Sequence, residues 1–163
     1  MKRLLFVLIA MFLLPMVAAE EMVAGQTCSA DVKDYDENSL VLFYWYTCPH
    51  CHEEIKFINN EVKEVYPDLE VHMFETKRPE NEKNRKLFSS FAERYNSSDS
   101  GVPRTFINGK PFIGFDEGNG SLKYSPNYEA YIGYKNVMVE EIEKVAERQN
   151  LNKKELWSYE SYD

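Results

Sequence analysis

The hydrophobic pattern is strongest over residues 40–46, where seven apolar or aromatic residues follow one another. Because consecutive positions are all apolar, the run predicts a β-strand that is buried on both faces. A short buried helix is the competing interpretation, and the Thr47-Cys48-Pro49 that follows disfavours it. Pro49 fits the first turn of a helix, where no backbone N–H group has to donate a hydrogen bond.

A helix that begins at Pro49 is predicted by apolar residues at spacings of three and four. These residues are Ile55, Ile58, Val62 and Val65. Pro67 ends the pattern. Alternation of apolar and polar residues over 69–74 then predicts a second strand, with His72 on its outward side.

Residues 81–95 predict a second helix. Its apolar side chains recur at helical spacing, at Leu87, Phe88, Phe91 and Tyr95. The segments Arg104–Ile107 and Pro111–Phe115 flank Asn108-Gly109, which is a strong signal for a tight hairpin turn. We therefore expect two antiparallel strands here.

The last helix is predicted to begin near Pro126, after a loop rich in Gly, Asn and Ser over residues 116–126. Its inward face would carry Tyr134, Met138, Ile142 and Val145. The predicted order is β-α-β-α-β-β-α. A crossover helix joins parallel strands and a tight hairpin joins antiparallel ones. The predicted fold class is α/β, with a central mixed four-stranded sheet flanked by helices.

Residues 1–19 have the pattern of a secretory signal peptide. Two basic residues, Lys2 and Arg3, precede the uncharged segment 4–19. An uncleaved signal anchor is the alternative, in which residues 4–19 would associate the protein with a membrane. In both cases we expect an extracytoplasmic domain, either secreted, periplasmic or anchored facing outside, where disulfides form and persist.

The rest of the chain divides into an acidic leader over 20–38, a folded domain over 39–149 and a C-terminal extension over 150–163. The 163-residue chain has 19 Lys+Arg and 27 Asp+Glu, a net charge of −8. Without residues 1–19 the charge becomes 17 − 27 = −10. No basic run exceeds two residues, so we expect no nucleic-acid partner. The acidic helix faces are interpreted as solvated surface.

The segment from Thr47 to His52 carries the candidate chemistry. A Cys-x-x-Cys pair where a strand ends and a helix begins places Cys48 at the helix N-terminus, where unpaired N–H groups and the helix dipole favour a thiolate. Cys51 lies one turn further on, within reach of a disulfide. We interpret Cys48 as the exposed attacking thiol and Cys51 as the more buried resolving thiol. His50 would stabilise the thiolate by hydrogen bonding or positive charge.

Residues 40–115 resemble the thioredoxin-like superfamily. The resemblance rests on the buried strand, on Cys48-Pro49-His50-Cys51 and on Gly101-Val102-Pro103 with the strand and turn after it. The Cys-Pro-His-Cys centre is similar to that of bacterial periplasmic thiol oxidases, and the short core is similar to glutaredoxins. The resemblance implies a thioredoxin-like domain over 39–149, with a cis Pro103 beside the cysteines and a Val102 backbone that binds the substrate chain as an added strand.

Two positions bear on the details of this resemblance. Thioredoxins and the periplasmic oxidases carry a buried acid six residues before the first cysteine, where this chain has Leu42. Glutaredoxins bind glutathione partly through a Gly-x-Asp stretch at the start of the last helix. Gly114-Phe115-Asp116 is similar to that stretch, but a loop follows it.

The implied activity is thiol–disulfide exchange with protein substrates, as an oxidase, reductase or isomerase, through a redox-active disulfide. The partners would be proteins with thiols or disulfides, together with a redox partner that recycles the pair. We expect neither a cofactor nor a metal. A thiolate stabilised by His50 favours the reduced protein, so the centre leans toward an oxidant.

Two alternatives remain open from the sequence. Cys48 to His52 is also a Cys-x-x-Cys-His motif, the attachment signature of c-type haem, with His52 as axial ligand. Thiolates also suit Cu(I), so a copper-binding protein of the same fold is a second alternative. Cys28 is interpreted as an unpaired thiol in the leader, with a third redox thiol or an intermolecular disulfide as the alternative.

Overall fold

A computed structural model describes residues 32–35 and 37–154 of the chain. The predicted signal segment 1–19, Cys28 and the predicted extension beyond residue 154 lie outside the described residues. None of the helices in the described ranges combines the length and the apolar character needed to cross a membrane.

The fold is α/β, as predicted, and its sheet is mixed. Six strands follow one another across the sheet in the order β2-β1-β3-β4-β6-β5. Their bounds are β1 Leu40–Tyr44, β2 Val71–Glu75, β3 Arg104–Ile107, β4 Lys110–Asp116, β5 Tyr124–Ser125 and β6 Ala130–Tyr134. The prediction of four strands is therefore wrong, because β5 and β6 extend the sheet beyond β4.

The two additional strands lie in a segment for which the sequence predicts a loop and the start of the last helix. β6 pairs in parallel with β4, whose edge would otherwise be left without a partner, and β5 pairs antiparallel with β6. A Cβ atom on Gly133 would lie 2.0 Å from the carbonyl oxygen of Gly114. Glycine at position 133 therefore allows β6 to approach β4 closely.

The helices are α1 Pro49–Phe57, α2 Lys63–Val65, α3 Glu82–Arg94 and α4 Lys135–Gln149. A π-helical turn over Ile58–Val62 joins α1 to α2, so the first predicted helix is one continuous helical segment. α4 begins at Lys135, and the prediction of a start near Pro126 is wrong because β6 occupies that segment.

The core has two parts, one on each face of the sheet. The first lies under α1 and α4 and contains Leu40, Leu42, Ile58, Phe112, Met138 and Ile142, among others. The second lies under α3 and contains Val41, Phe43, Leu87, Phe88, Phe91 and Phe106. Alternate residues of β1 point to opposite faces, which explains why its whole sequence is apolar.

Residues outside 39–149 also contact this domain. Val32 and Tyr35, from the leader, pack against the core under α3, and both of their carbonyl groups accept hydrogen bonds from Arg94. Beyond α4, Leu151 packs against the other part of the core, and the Lys154 amide donates to Val65.

Candidate functional site

The cysteine pair lies where β1 gives way to α1. The Cys48 amide donates to the Trp45 carbonyl at 3.1 Å, which closes a turn after the strand. Cys48 is the N-cap of α1, with extended backbone angles of φ −93° and ψ 117°, and Pro49 follows in the first turn. The Cys48 sulfur accepts a hydrogen bond from the Cys51 amide at 3.3 Å. The sulfur therefore occupies the position where a helix N-terminus stabilises an anion.

The two sulfurs have different environments. Cys48 is partly exposed, whereas Cys51 has no exposed surface. Burial raises the pKa of the Cys51 thiol well above its usual value, and the neighbouring Cys48 side chain raises it further. Cys48 is thus the sulfur that another molecule can reach, and Cys51 is held as a neutral thiol. Neither is in a disulfide in this structure.

The Gly101-Val102-Pro103 segment lies beside Cys48, although more than fifty residues separate them. The Val102–Pro103 peptide bond is cis, the geometry that the resemblance implies. The Cys48 sulfur lies 3.9 Å from the Val102 carbonyl oxygen. Because β1 and β3 are antiparallel, with Phe43 opposite Arg104, the end of β1 and the start of β3 meet at one edge of the sheet.

A glycine is required at position 101. Gly101 has φ +81°, and a Cβ atom there would lie 3.0 Å from the Ile113 side chain and 3.2 Å from the Tyr128 ring. The same loop is held by Arg104, whose fully buried guanidinium donates to the carbonyls of Ser100 at 2.6 Å and Tyr128 at 3.0 Å. Burial lowers the pKa of Arg104 to about 10. Arg104 therefore fixes the loop that precedes Val102.

The two histidines of the motif point away from a common centre. The His50 ring is exposed and its Nδ1 lies 3.4 Å from the Glu53 carboxylate, while the His52 Nε2 lies 2.9 Å from the Tyr46 carbonyl oxygen. Throughout 32–35 and 37–154, no three His, Cys, Asp or Glu side chains are grouped as a metal site would need. His72, predicted to face outward, is half-buried and pairs with Glu70.

A groove of about 360 Å³ runs beside Val102. It is lined by Trp45, Thr76, Lys77, Arg85, Phe88, Ser89, Asp99, Gly101 and Val102. Trp45 is 39% exposed, and the Lys77 ammonium lies 5.4 Å from the centre of its ring. The groove therefore offers an aromatic surface and both signs of charge beside Val102, whose carbonyl oxygen lies 3.9 Å from the Cys48 sulfur.

Asp116 of the Gly-x-Asp stretch lies at the end of β4, where its carboxylate accepts a hydrogen bond from the Gly118 amide at 2.7 Å. The last helix begins only at Lys135. The stretch therefore does not stand at a helix start.

The sequence interpretation missed Glu54, which is fully buried on α1. One carboxylate oxygen accepts a hydrogen bond from the Thr105 hydroxyl, and the other has no hydrogen-bond partner. Burial raises the pKa of Glu54 to about 8. The assignment of the acidic residues of this helix to solvated surface is wrong here. A signal was present, because Glu54 lies three residues after Cys51 and four before Ile58, on the apolar face.

The comparisons with known proteins do not identify a family. No protein-family model, no curated protein and no solved structure matches the chain.

Proposed function

We propose that the protein is a thiol–disulfide oxidoreductase with a thioredoxin-like fold that exchanges disulfides with protein substrates. The observation that carries the proposal is the pair of unlike sulfurs on α1, with Cys48 accessible at the helix N-terminus and Cys51 fully buried one turn later. The cis Val102–Pro103 bond beside Cys48 supports it.

The proposed reaction has two exchange steps. The Cys48 thiolate attacks one sulfur of a substrate disulfide, so that a Cys48–substrate bond forms and the other substrate sulfur leaves as a thiolate. Cys51 then loses its proton and attacks the Cys48 sulfur, which releases the second substrate sulfur and closes the Cys48–Cys51 disulfide. The substrate gains two electrons and the pair loses two. The reverse sequence oxidises a substrate dithiol.

Substrate binding is assigned to Val102, Pro103 and the adjoining groove. An extended chain at Val102 would pair through main-chain groups, as an added strand does. Its side chains would meet Trp45 and the charged groups Lys77 and Asp99 in the groove. Main-chain pairing tolerates many sequences, which suits an enzyme that acts on different protein substrates.

The direction of net electron transfer between the cysteine pair and its substrates is a separate part of the proposal. His50 is exposed and contacts Glu53, so its contribution to the Cys48 thiolate would be its positive charge when protonated. A reduction potential well above about −270 mV, the value typical of thioredoxin, would support a role as an oxidant. The pattern of residues 1–19 supports action outside the cytosol, where a disulfide oxidase has substrates.

The test uses the full chain and its third cysteine as a control. We expect Cys48→Ser to abolish disulfide exchange with a model peptide, and Cys51→Ser to accumulate a mixed disulfide that mass spectrometry detects. Cys28→Ser should retain the wild-type rate. Turnover by Cys48→Ser, or no turnover by the wild type with either a disulfide or a dithiol peptide, would contradict the proposed activity.

A further inference from the structure

One side of the groove beside Val102 is formed by a basic segment, residues 75–86, which runs from the end of β2 into α3. The segment contains five basic and three acidic side chains, so its net charge is 5 − 3 = +2, whereas the whole chain carries −8. Two of its basic residues, Lys77 and Arg85, line the groove. This side of the groove is therefore opposite in charge to the protein as a whole.

Lys77 and Arg78 of the basic segment lie over two exposed aromatic rings in the turn after β1. The Lys77 ammonium is 5.4 Å from the centre of the Trp45 ring, and the Arg78 guanidinium carbon is 4.6 Å from the centre of the Tyr46 ring. Contacts of this kind attract a cation to the face of a ring. Both cations are therefore held against the turn that leads to the cysteine pair, although both side chains are exposed.

The nearest acidic side chain of the basic segment does not pair with these cations. The Glu75 carboxylate accepts hydrogen bonds from the backbone amides of Lys77 at 2.9 Å and Arg78 at 3.2 Å. It therefore fixes the backbone that carries the two side chains and leaves their charged ends directed elsewhere. Within the part of the chain that the structure describes, no ion pair joins a carboxylate to Lys77 or Arg78.

The other charged residues of the groove, Arg85 and Asp99, do not compensate each other. Arg85 donates to three backbone carbonyls within residues 76–79, at 2.7–3.4 Å, so its position is fixed and its charge is retained. The Asp99 carboxylate accepts a hydrogen bond from the Ser89 hydroxyl at 3.0 Å. Arg85 therefore adds to the positive charge on the side of the groove that Lys77 lines.

We infer that Lys77, with Arg78 beside it, binds an acidic side chain of the substrate polypeptide close to its reactive cysteine. The inference rests on the proposed function, since it adds a preference among substrates to the same groove. Main-chain pairing at Val102 would accept many sequences, whereas an exposed cation at the groove favours Asp or Glu and disfavours Lys or Arg.

The position of Lys77 sets where the acidic residue of the substrate has to lie. Its Nζ donates to the Thr47 hydroxyl at 2.8 Å, and Thr47 directly precedes Cys48. An ammonium has three N–H donors, and the exposed side chain lets a carboxylate from another molecule reach those that face solvent. An extended chain rises about 3.3 Å per residue, so we expect the acidic residue within about three positions of the substrate cysteine.

The experiment compares three model peptides that differ at one position beside a cysteine, where they carry Glu, Gln or Lys. Each is supplied as the disulfide and as the dithiol, and its exchange rate with the full chain is measured at neutral pH and low salt. For the wild type we expect the Glu peptide to react about fivefold faster than the Gln peptide, the upper end for an exposed ion pair. The Lys peptide should be the slowest. At about 1 M salt the preference should shrink, because charges are screened within about 3 Å.

Variants of the basic segment then locate the preference. Lys77→Gln should bring the Glu-to-Gln rate ratio close to one, Arg78→Gln should lower it partly, and Lys77→Arg should retain it. Lys83→Gln is the matched control, since Lys83 is exposed in the same segment but does not line the groove, and it should keep the wild-type ratio. Because each ratio compares two peptides with one variant, a general loss of folding or of cysteine reactivity cancels.

The outcomes separate the inference from the proposed function. A wild type that turns over the Glu and Gln peptides equally, or that prefers the Lys peptide, would overturn the inference and leave the proposed function standing. The same holds if Lys77→Gln keeps the wild-type ratio. A wild type that exchanges with none of the peptides, as disulfide or as dithiol, would overturn both.

Discussion

Glu54 and Glu141 are two buried carboxylates on two helices that pack against the same face of the sheet, and their surroundings are opposite. Glu141, on α4, accepts hydrogen bonds from Asn108, Lys110 and Lys144 at 2.5–2.8 Å. Burial by itself would raise the pKa of Glu141, but these donors together outweigh it and lower the pKa to about 2. Glu54, on α1, has only the Thr105 hydroxyl, and burial raises its pKa to about 8.

Because their hydrogen-bond donors differ, the two buried carboxylates differ in their charge at neutral pH. Glu141 is a permanently ionised group that holds the β3–β4 turn against α4 through Asn108 and Lys110. Glu54 has no cation partner within the described part of the chain, lies three residues from Cys51, and can change its protonation state near neutral pH because burial raises its pKa to about 8. Buried charges are common where they are paired, whereas an unpaired titratable group near a cysteine pair is typical of functional sites.

The largest expected effect is on the pH dependence of stability through Glu54. Between pH 4.5 and about 8 the folded protein holds a proton that the unfolded chain has released. Stability from this group is therefore present below about pH 4.5 and is lost as the pH rises to about 8. Glu54→Gln should remove this loss, so that the variant gains on the order of 5 kcal/mol relative to the wild type between pH 4.5 and 8. Urea unfolding across this range measures it.

Glu53→Gln is the control for that measurement, since it removes a carboxylate from the solvent-facing side of the same helix. Its unfolding free energy should follow the wild-type pH dependence. If the unfolding free energies of the wild type and Glu54→Gln change in parallel with pH, the pKa of Glu54 is not raised in the folded protein. Glu54 and Glu141 would then not differ in the way described above.

Glu141 should show the opposite pH dependence and a smaller effect. Its pKa is lowered by its donors, so its contribution is present above pH 4.5 and is lost as the pH falls toward 2. We expect Glu141→Gln to destabilise the protein by about 2 kcal/mol at pH 7, because charged hydrogen bonds are lost, and by much less near pH 2. Thermal unfolding at both pH values measures the difference.

The matched control for Glu141 is Glu143→Gln on the same helix. Glu143 pairs with Lys153 at 2.8 Å, and both side chains are more than a third exposed. An exposed pair of this kind contributes less than about 1 kcal/mol. Equal losses in Glu141→Gln and Glu143→Gln would show that burial adds nothing to the Glu141 cluster.

The smallest effect is expected from Thr105→Val, which removes the single donor to Glu54. Loss of one hydrogen bond should cost about 1 kcal/mol of stability. Because that bond lowers the pKa of Glu54, its removal should move the pH transition in the unfolding free energy to higher pH, as urea unfolding measures. Thr76→Val is the control, since the Thr76 hydroxyl binds the Tyr44 carbonyl instead. If neither variant moves the transition, the Thr105 hydroxyl does not lower the pKa of Glu54.

The strand and helix that hold the cysteines could be predicted because their signals are local. Seven apolar residues in a row predicted β1, and the structure gives Leu40–Tyr44, with Trp45 and Tyr46 exposed in the turn. The Asn108-Gly109 turn likewise joins β3 and β4 as predicted. In both cases the residues that form the strand and the residues that form the adjoining turn lie together in one short segment, so a local pattern is enough to predict them.

The sequence pattern places Ala130–Tyr134 in the last helix, whereas in the structure this segment is a strand. Its apolar residues fit either period over such a short stretch, so the pattern alone did not decide between them. The edge of β4 favours the strand, because the backbone N–H and C=O groups along that edge gain hydrogen-bond partners when β6 pairs with β4. The thirteen positions between β4 and β6 contain no signal for this pairing.

Residues 48–51 alone determined the helix start and the spacing of the cysteine pair, since both depend on neighbours within one helical turn. The protonation of Glu54 was decided only by the tertiary structure. Its hydroxyl donor, Thr105, lies 51 residues away along the chain, and its burial comes from packing α1 against the sheet. A carboxyl group's pKa depends on the water and donors around it, which no local sequence pattern specifies.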